Sequence, residues 1–170
     1  LPPIGSQMPQ NSCSAWAAAY ATKTYLEVRD QGWQPTVAGR IFSPAFVYNQ
    51  LNGGRDLGIP ILAALKLLVA DGCATLATMP YKLQDYRYQP SAAARAEAAK
   101  YRCRSYAHLT DGAAVRRALA QGQVVILNLR TDPVFRSGRY AIFTAEEKAR
   151  GDAMDFTGQD RGYHAVCAVG

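Results

Sequence analysis

From Cys13 the chain continues SAWAAAYATKTYLEVRD, a run of good helix formers in which Trp16, Ala17, Tyr20, Thr24 and Val28 fall on one stripe at helical spacing. Gly32 ends the run, and Asn11-Ser12 stand ahead of it as capping residues. Residues 1–12 are rich in Pro, Gly, Gln, Asn and Ser, which predicts an ordered loop. Ser43-Pro44 opens a second short helix, AFVYNQL, closed by Asn52-Gly53-Gly54. A third is expected from about Gly58 to Ala70, stopping at Asp71-Gly72.

Beyond residue 80 the pattern changes. A Tyr-rich loop leads into SAAARAEAAKY, which predicts a short exposed helix. Thr110-Asp111 caps a helix through Ala120, Gly122 breaks it, and VVILNL follows as a buried strand. Residues 131–161 are polar and read as irregular, and HAVCAV closes the chain as an apolar strand. A helical first half followed by a strand-rich second half predicts an α+β fold in two lobes, with the boundary inside 82–103. No internal repeat is visible.

Composition narrows the classes. The 170 residues are 49% hydrophobic and 19% charged, ordinary for a globular chain and against disorder. The longest apolar run, Ile59 to Ala70, is broken by Pro60 and Lys66, so no membrane span is expected. The chain opens at Leu1-Pro2-Pro3 without Met and shows no signal peptide, as expected of a piece of something longer. The net charge of +6 lies largely between Lys82 and Arg104 and between Arg130 and Arg161. It forms no dense basic run and accompanies no nucleic-acid motif, so a solvated face is the expectation and nucleic acid is not expected as a partner. No metal, nucleotide or haem motif is present, and no cofactor is expected.

The four cysteines, at 13, 73, 103 and 167, are too widely spaced for a zinc knuckle or a CxxC pair. Cys73 and Cys103 are either one disulfide or two buried thiols, and Cys167 sits in an apolar run and reads as core. Cys13 differs. It stands at the first turn of a long helix, where unpaired N–H groups and the macrodipole stabilise a thiolate. A nucleophilic cysteine also needs a base, and the chain has two histidines. His108 lies in a strand-like Tyr-Ala-His-Leu stretch, and His164 begins the last apolar strand. Gln7, six residues before Cys13, could join the Cys13 N–H in holding an oxyanion. Any one of these residues alone is more often a packing residue than a catalytic one.

Together they form a pattern. Gln7…Ser12-Cys13…Trp16-Ala17 resembles the active-site segment of papain-like cysteine peptidases in its bacterial form. Ser43-Pro44-Ala45-Phe46-Val47-Tyr48, then Gly58-Ile59-Pro60, then Met79-Pro80-Tyr81 follow in that family's order. Gly162-Tyr163-His164-Ala165-Val166 resembles its histidine segment, about 150 residues after Cys13, near the family's ~130–150. The resemblance implies a papain-like two-lobe fold, with a helical left lobe over 1–88 and a strand-rich right lobe over 89–170 that stops before the final strands.

It further implies Cys13 as nucleophile, His164 as acid–base and Gln7 as oxyanion donor. Asn11, Ser12 and Gly58 would wall the scissile bond. Ile59, Pro60 and Ala165 would line the pocket for an apolar residue two before it. The expected partner is a peptide or protein substrate, and the expected location is secreted or periplasmic. Ser14 follows Cys13 where the commoner motif has tryptophan, and the cysteine that usually precedes by three is absent. The asparagine that orients the family's histidine is expected beyond Gly170. A chain stopping there would expose apolar surface around HAVCAV, so self-association or a protein partner over that edge is expected. The same residues would serve an amidase, and a silent binding module of the same fold is the other reading.

Overall fold

The computed structural model describes residues 1–131, 146 and 162–170. The irregular character expected for 131–161 therefore falls, apart from residues 131 and 146, outside the described residues. After a loop over 1–12, α1 (Cys13–Ala15) passes without a break into a π-helical segment (Trp16–Lys23) and then into α2 (Thr24–Gln31). Gly32, at φ 66°, ends this rod in the left-handed conformation.

The winding differs from the sequence expectation. A five-residue hydrogen-bond period in the middle of the rod disperses the 3.6-residue stripe. Ala15, Ala17, Ala18, Ala19, Thr22, Lys23 and Thr24 are all buried, whereas Trp16, Tyr20 and Val28 are only half-buried. Alanine on nearly every side lets neighbouring elements approach closely all round. The expected cap is also corrected: Ser12 occupies the N-cap position but its side chain accepts no helix N–H.

Four further helices follow their signals with small shifts. Ser43 accepts from Phe46 N at 3.4 Å and Pro44 occupies the first turn of α3 (Pro44–Leu51). α4 (Ile61–Ala70) starts later than expected because Pro60 is extended. Ser91 caps α5 (Ala92–Ala98), which buries Ala94 and Ala98 and so is not the wholly exposed helix expected. Asp111 accepts from Ala114 N at 2.7 Å and caps α6 (Gly112–Ala120). His108, expected in a strand, has no regular structure.

β1 (Val125–Thr131) and β2 (Gly162–Ala168) form a two-stranded sheet. Thr131, at the end of β1, donates through Oγ1 to the carbonyl of Gly162 at the start of β2, at 3.1 Å. Only Val125 and Thr131 of β1 are buried, so it is not the enclosed strand expected. The described chain is thus a mixture of helices with a small sheet.

Contacts divide the protein into two compact units, Leu1–Leu127 with Ala165–Gly170, and Asn128–His164. The first holds the core, with Phe42, Phe46, Val47, Tyr48, Leu68 and Met79 fully buried against Ala15, Ala18 and Ala19. Phe42 pairs with Thr75 in an isolated bridge and its ring packs edge-on to Tyr101 at 5.2 Å. Among the described residues no helix is long and apolar enough to cross a membrane.

Two glycines test this packing. Gly72, at φ 82°, lies so close to α5 that an added Cβ would sit 1.9 Å from Ala98 O. Gly122, at φ 72°, has open space around it. Gly122→Ala is expected to cost roughly 1–2 kcal/mol from its left-handed backbone alone. Gly72→Ala should cost clearly more than the ~1–3 kcal/mol of backbone strain, because α5 must also move. Urea unfolding midpoints check the order, and equal losses would refute the close approach.

Candidate active site

Cys13 is the first residue of α1 and is half-buried. As the first helical residue, its N–H has no carbonyl partner within the helix. Ser14, next along, is buried and donates to the carbonyl of Ile59 at 2.8 Å. That bond ties the start of the rod to the segment 57–60 that leads into α4.

The loop ahead of Cys13 is held by side chains rather than by an element of its own. Gln10 N donates to Gln7 O at 3.0 Å, and Gln7 Nε2 donates to Gln10 O at 3.1 Å. Gln10 Nε2 reaches Lys82 O at 2.8 Å. The Tyr81 hydroxyl donates to Gln7 O at 2.8 Å and lies 2.9 Å from Ser12 Oγ. A carbonyl only accepts, so the phenolic proton goes to Gln7 and Ser12 donates to Tyr81. This accounts for the missing cap at Ser12: its hydroxyl proton and its orientation are committed to Tyr81. Gln7 Nε2 carries two protons, of which the turn to Gln10 uses one.

Trp16 anchors the same loop from below. Its ring packs against Tyr20 at 4.4 Å and edge-on to Tyr81 at 5.0 Å. Gly5 is pressed onto it, since an added Cβ would lie 2.6 Å from the ring, and Tyr20 OH donates to Pro3 O at 2.8 Å. Further along the loop Asn11 N donates to Asp56 Oδ1 at 2.8 Å and Asn11 Nδ2 to Asp56 O at 3.0 Å.

The structure therefore brings Gln7, Asn11, Ser12 and Cys13 together in one pinned segment and links it to Ile59. Gly58 is exposed, and an added Cβ would meet nothing within 4 Å, so no contact among the described residues requires glycine there. Ile59 is buried and Pro60 is exposed at the head of α4. Ala165 is buried in β2 within the first compact unit. His164, half-buried in β2, belongs to the second unit and is described there by itself. Sequence reasoning passed over Tyr81 and Asp56. Both lay within quoted or adjoining motifs, but nothing in the string says that either hydroxyl or carboxylate turns toward residues 7–12.

All four cysteines are free thiols, which decides between the two readings of Cys73 and Cys103. Burial pushes the Cys73 and Cys103 thiols up, outweighing the downward pull of Lys23. Burial also pushes Cys167 up, against a 3.4 Å hydrogen bond from Thr22. No group of three or more His, Cys, Asp or Glu among the described residues could hold a metal ion.

No family model matches the chain, and no curated protein sequence does. Among solved structures it is similar to xylellain, a cysteine protease from Xylella fastidiosa, with a TM-score of 0.75 and 20% identity. The match covers 99% of this chain and 67% of that one. The chain therefore has the fold of a cysteine protease; at this identity the likeness speaks for the fold alone.

Reactivity should follow the thiol environments. Limiting iodoacetamide at pH 7.5, read by peptide mass spectrometry, is expected to modify Cys13 at least ~tenfold faster than Cys73, Cys103 or Cys167, whose thiolates are disfavoured by burial. Equal labelling of Cys73 would show that its enclosure is wrong.

Proposed function

We propose that the protein is a papain-like cysteine endopeptidase in which Cys13 is the nucleophile, His164 the acid–base and Gln7 the oxyanion donor. The observation that carries this reading is the pinned loop. Gln7 and Ser12 are fixed to one another through Tyr81, directly ahead of Cys13 at a helix start, in a fold shared with a cysteine protease.

In the proposed reaction the Cys13 thiolate attacks the carbonyl carbon of the scissile peptide, and the π electrons move to oxygen. The second Gln7 Nε2 proton and the Cys13 N–H receive that oxyanion. The tetrahedral centre collapses with loss of the amine, which takes its proton from the His164 imidazolium. Neutral His164 then draws a proton from water, which attacks the thioester carbonyl. Collapse of the second tetrahedral centre releases the acid and restores the thiolate and imidazolium. Asn11, Ser12 and Gly58 flank the bond, and the open space over Gly58 suits an extended substrate backbone. Ile59, Pro60 and Ala165 form the apolar pocket two residues before the bond.

The same reading places a helical lobe at 1–88 and a strand-rich lobe at 89–170. It puts the protein in a secreted or periplasmic setting and covers the β1–β2 edge with a partner or a second copy.

An epoxide peptide reagent together with a fluorogenic peptide library tests the chemistry. The protein is expected to be labelled at Cys13 and to cleave peptides with Leu, Val or Phe two before the bond. Cys13→Ala should abolish both, His164→Ala should lower kcat/KM by about 10³-fold or more, and Gln7→Ala by about 10²–10³-fold. Labelling without peptide turnover would replace the peptidase by an amidase acting on a non-protein amide. Absence of labelling would leave a binding module.

A further inference from the structure

Asp56 stands at a junction that the proposed chemistry does not itself use. Its Oδ1 accepts the Asn11 backbone N–H at 2.8 Å and the Tyr48 hydroxyl at 2.6 Å, and its own carbonyl accepts Asn11 Nδ2 at 3.0 Å. The same Tyr48 hydroxyl lies 2.9 Å from Leu57 O, so its single proton is shared between the carboxylate and the next carbonyl along. Tyr48 is fully buried in α3, and burial, reinforced by the bond to Asp56, pushes its hydroxyl up from the usual phenolic range. It therefore stays a proton donor, and it fixes Asp56 from the core side.

These bonds connect three stretches of chain. Asn11 belongs to the loop that carries Gln7 and delivers the chain into Cys13. Leu57 and Gly58 belong to the segment that serves as a substrate wall on the proposed reading, and Tyr48 is rooted in α3. A carboxylate suits the junction because one oxygen can accept from a backbone N–H and a hydroxyl at once. Asp56 is only half-exposed, so these bonds are partly shielded from water. The wall has a second tie to the helix start, Ser14 Oγ to Ile59 O at 2.8 Å. Ser14 and Asp56 thus hold segment 56–59 from either end. Ser14 lies just after Cys13, and Asn11, which Asp56 holds, lies just before it.

We infer that Asp56 is a positioning residue which sets the gap between the oxyanion loop, residues 7–12, and the substrate wall at 57–59. This rests on the cysteine-peptidase reading. It adds to that reading a residue that touches no reacting atom and controls where the reacting atoms meet. A shift of about 1 Å in such a gap is enough to cost on the order of a hundredfold in rate. The effect should fall on kcat, because the oxyanion forms only in the transition state, while ground-state contacts along the wall survive.

The test compares Asp56→Ala, Asp56→Asn and Asp56→Glu with the parent protein in three measurements: peptide kcat and KM, iodoacetamide alkylation of Cys13, and thermal unfolding. Asn keeps an acceptor oxygen in place and should retain kcat within about threefold. Glu keeps the charge and the fold but lengthens the strut, and should lower kcat about tenfold or more. Ala removes the strut and should lower kcat about thirtyfold, with KM within about threefold. In every variant that is folded at the assay temperature, alkylation of Cys13 by the small reagent should stay within about twofold of the parent, since it needs neither wall nor oxyanion hole.

Should Ala not fold, the comparison of Asn with Glu decides. Parental kcat in Glu and in any folded Ala variant overturns the inference and leaves the peptidase reading intact. So does a loss of kcat matched by an equal loss of alkylation, which is the mark of general unfolding. A parent protein that cleaves no peptide removes the reading and the inference together.

Discussion

Tyr81 gives its hydroxyl proton to the carbonyl of Gln7 and receives one from Ser12, and the candidate site depends on that relay. Residues 7–12 have no ladder or helix to hold them, and ordering them costs about 1–2 kcal/mol each in backbone entropy. Each neutral hydrogen bond returns only about 0.5–1.5 kcal/mol net. Bonds and ordering therefore nearly cancel, and the aromatic packing beneath the loop decides the balance. The stack of Gly5, Trp16, Tyr20 and Tyr81 supplies it. Among the described residues the buried Trp16 Nε1 has no hydrogen-bond partner, so the ring contributes there through its faces and edges.

The core around the π-helical segment sets the environment of the buried thiols. Lys23 is buried on the π-helical segment, ion-paired to Glu27 one turn on, with its ammonium 5.4 Å from the centre of the Phe42 ring. A buried ammonium is tolerated there because carboxylate and ring together replace its water. That charge favours thiolate at Cys73 and Cys103, yet burial outweighs it in both. The nearest positive charge therefore fails to activate them. Cys13 differs in position: it is half-exposed, at the end of the rod where backbone N–H groups are unpaired.

Much of the scaffold was legible because it is written in local chemistry. Ser43-Pro44 and Asp111 each mark a helix start by a cap that the structure forms. Gly32 and Gly122 follow helix ends in left-handed backbone. The failures are equally physical. Ser12 reads as a cap, but a tyrosine 69 residues away takes its hydroxyl. The regular stripe from Trp16 to Val28 presumes α-winding, which an alanine-rich run under packing from several sides does not keep. At the candidate site, Gln7 and Cys13 were singled out by their spacing. Asp56 and Tyr81 were not, because their roles arise from contacts across 45 and 74 residues of chain.

Replacing glycine by alanine where the backbone allows it ordinarily stabilises a protein by about 0.4–1 kcal/mol, by restricting the unfolded chain. At Gly58 the backbone has no left-handed angle and an added Cβ would meet open space, so folding gains nothing from glycine. The neighbouring residues are otherwise heavily committed: Asp56 and Leu57 to Tyr48, Ile59 to Ser14. The segment is thus fixed on both sides, with a bare position at its centre among the described residues. On the proposed reading an extended peptide backbone lies there, whose approach a side chain at 58 would block.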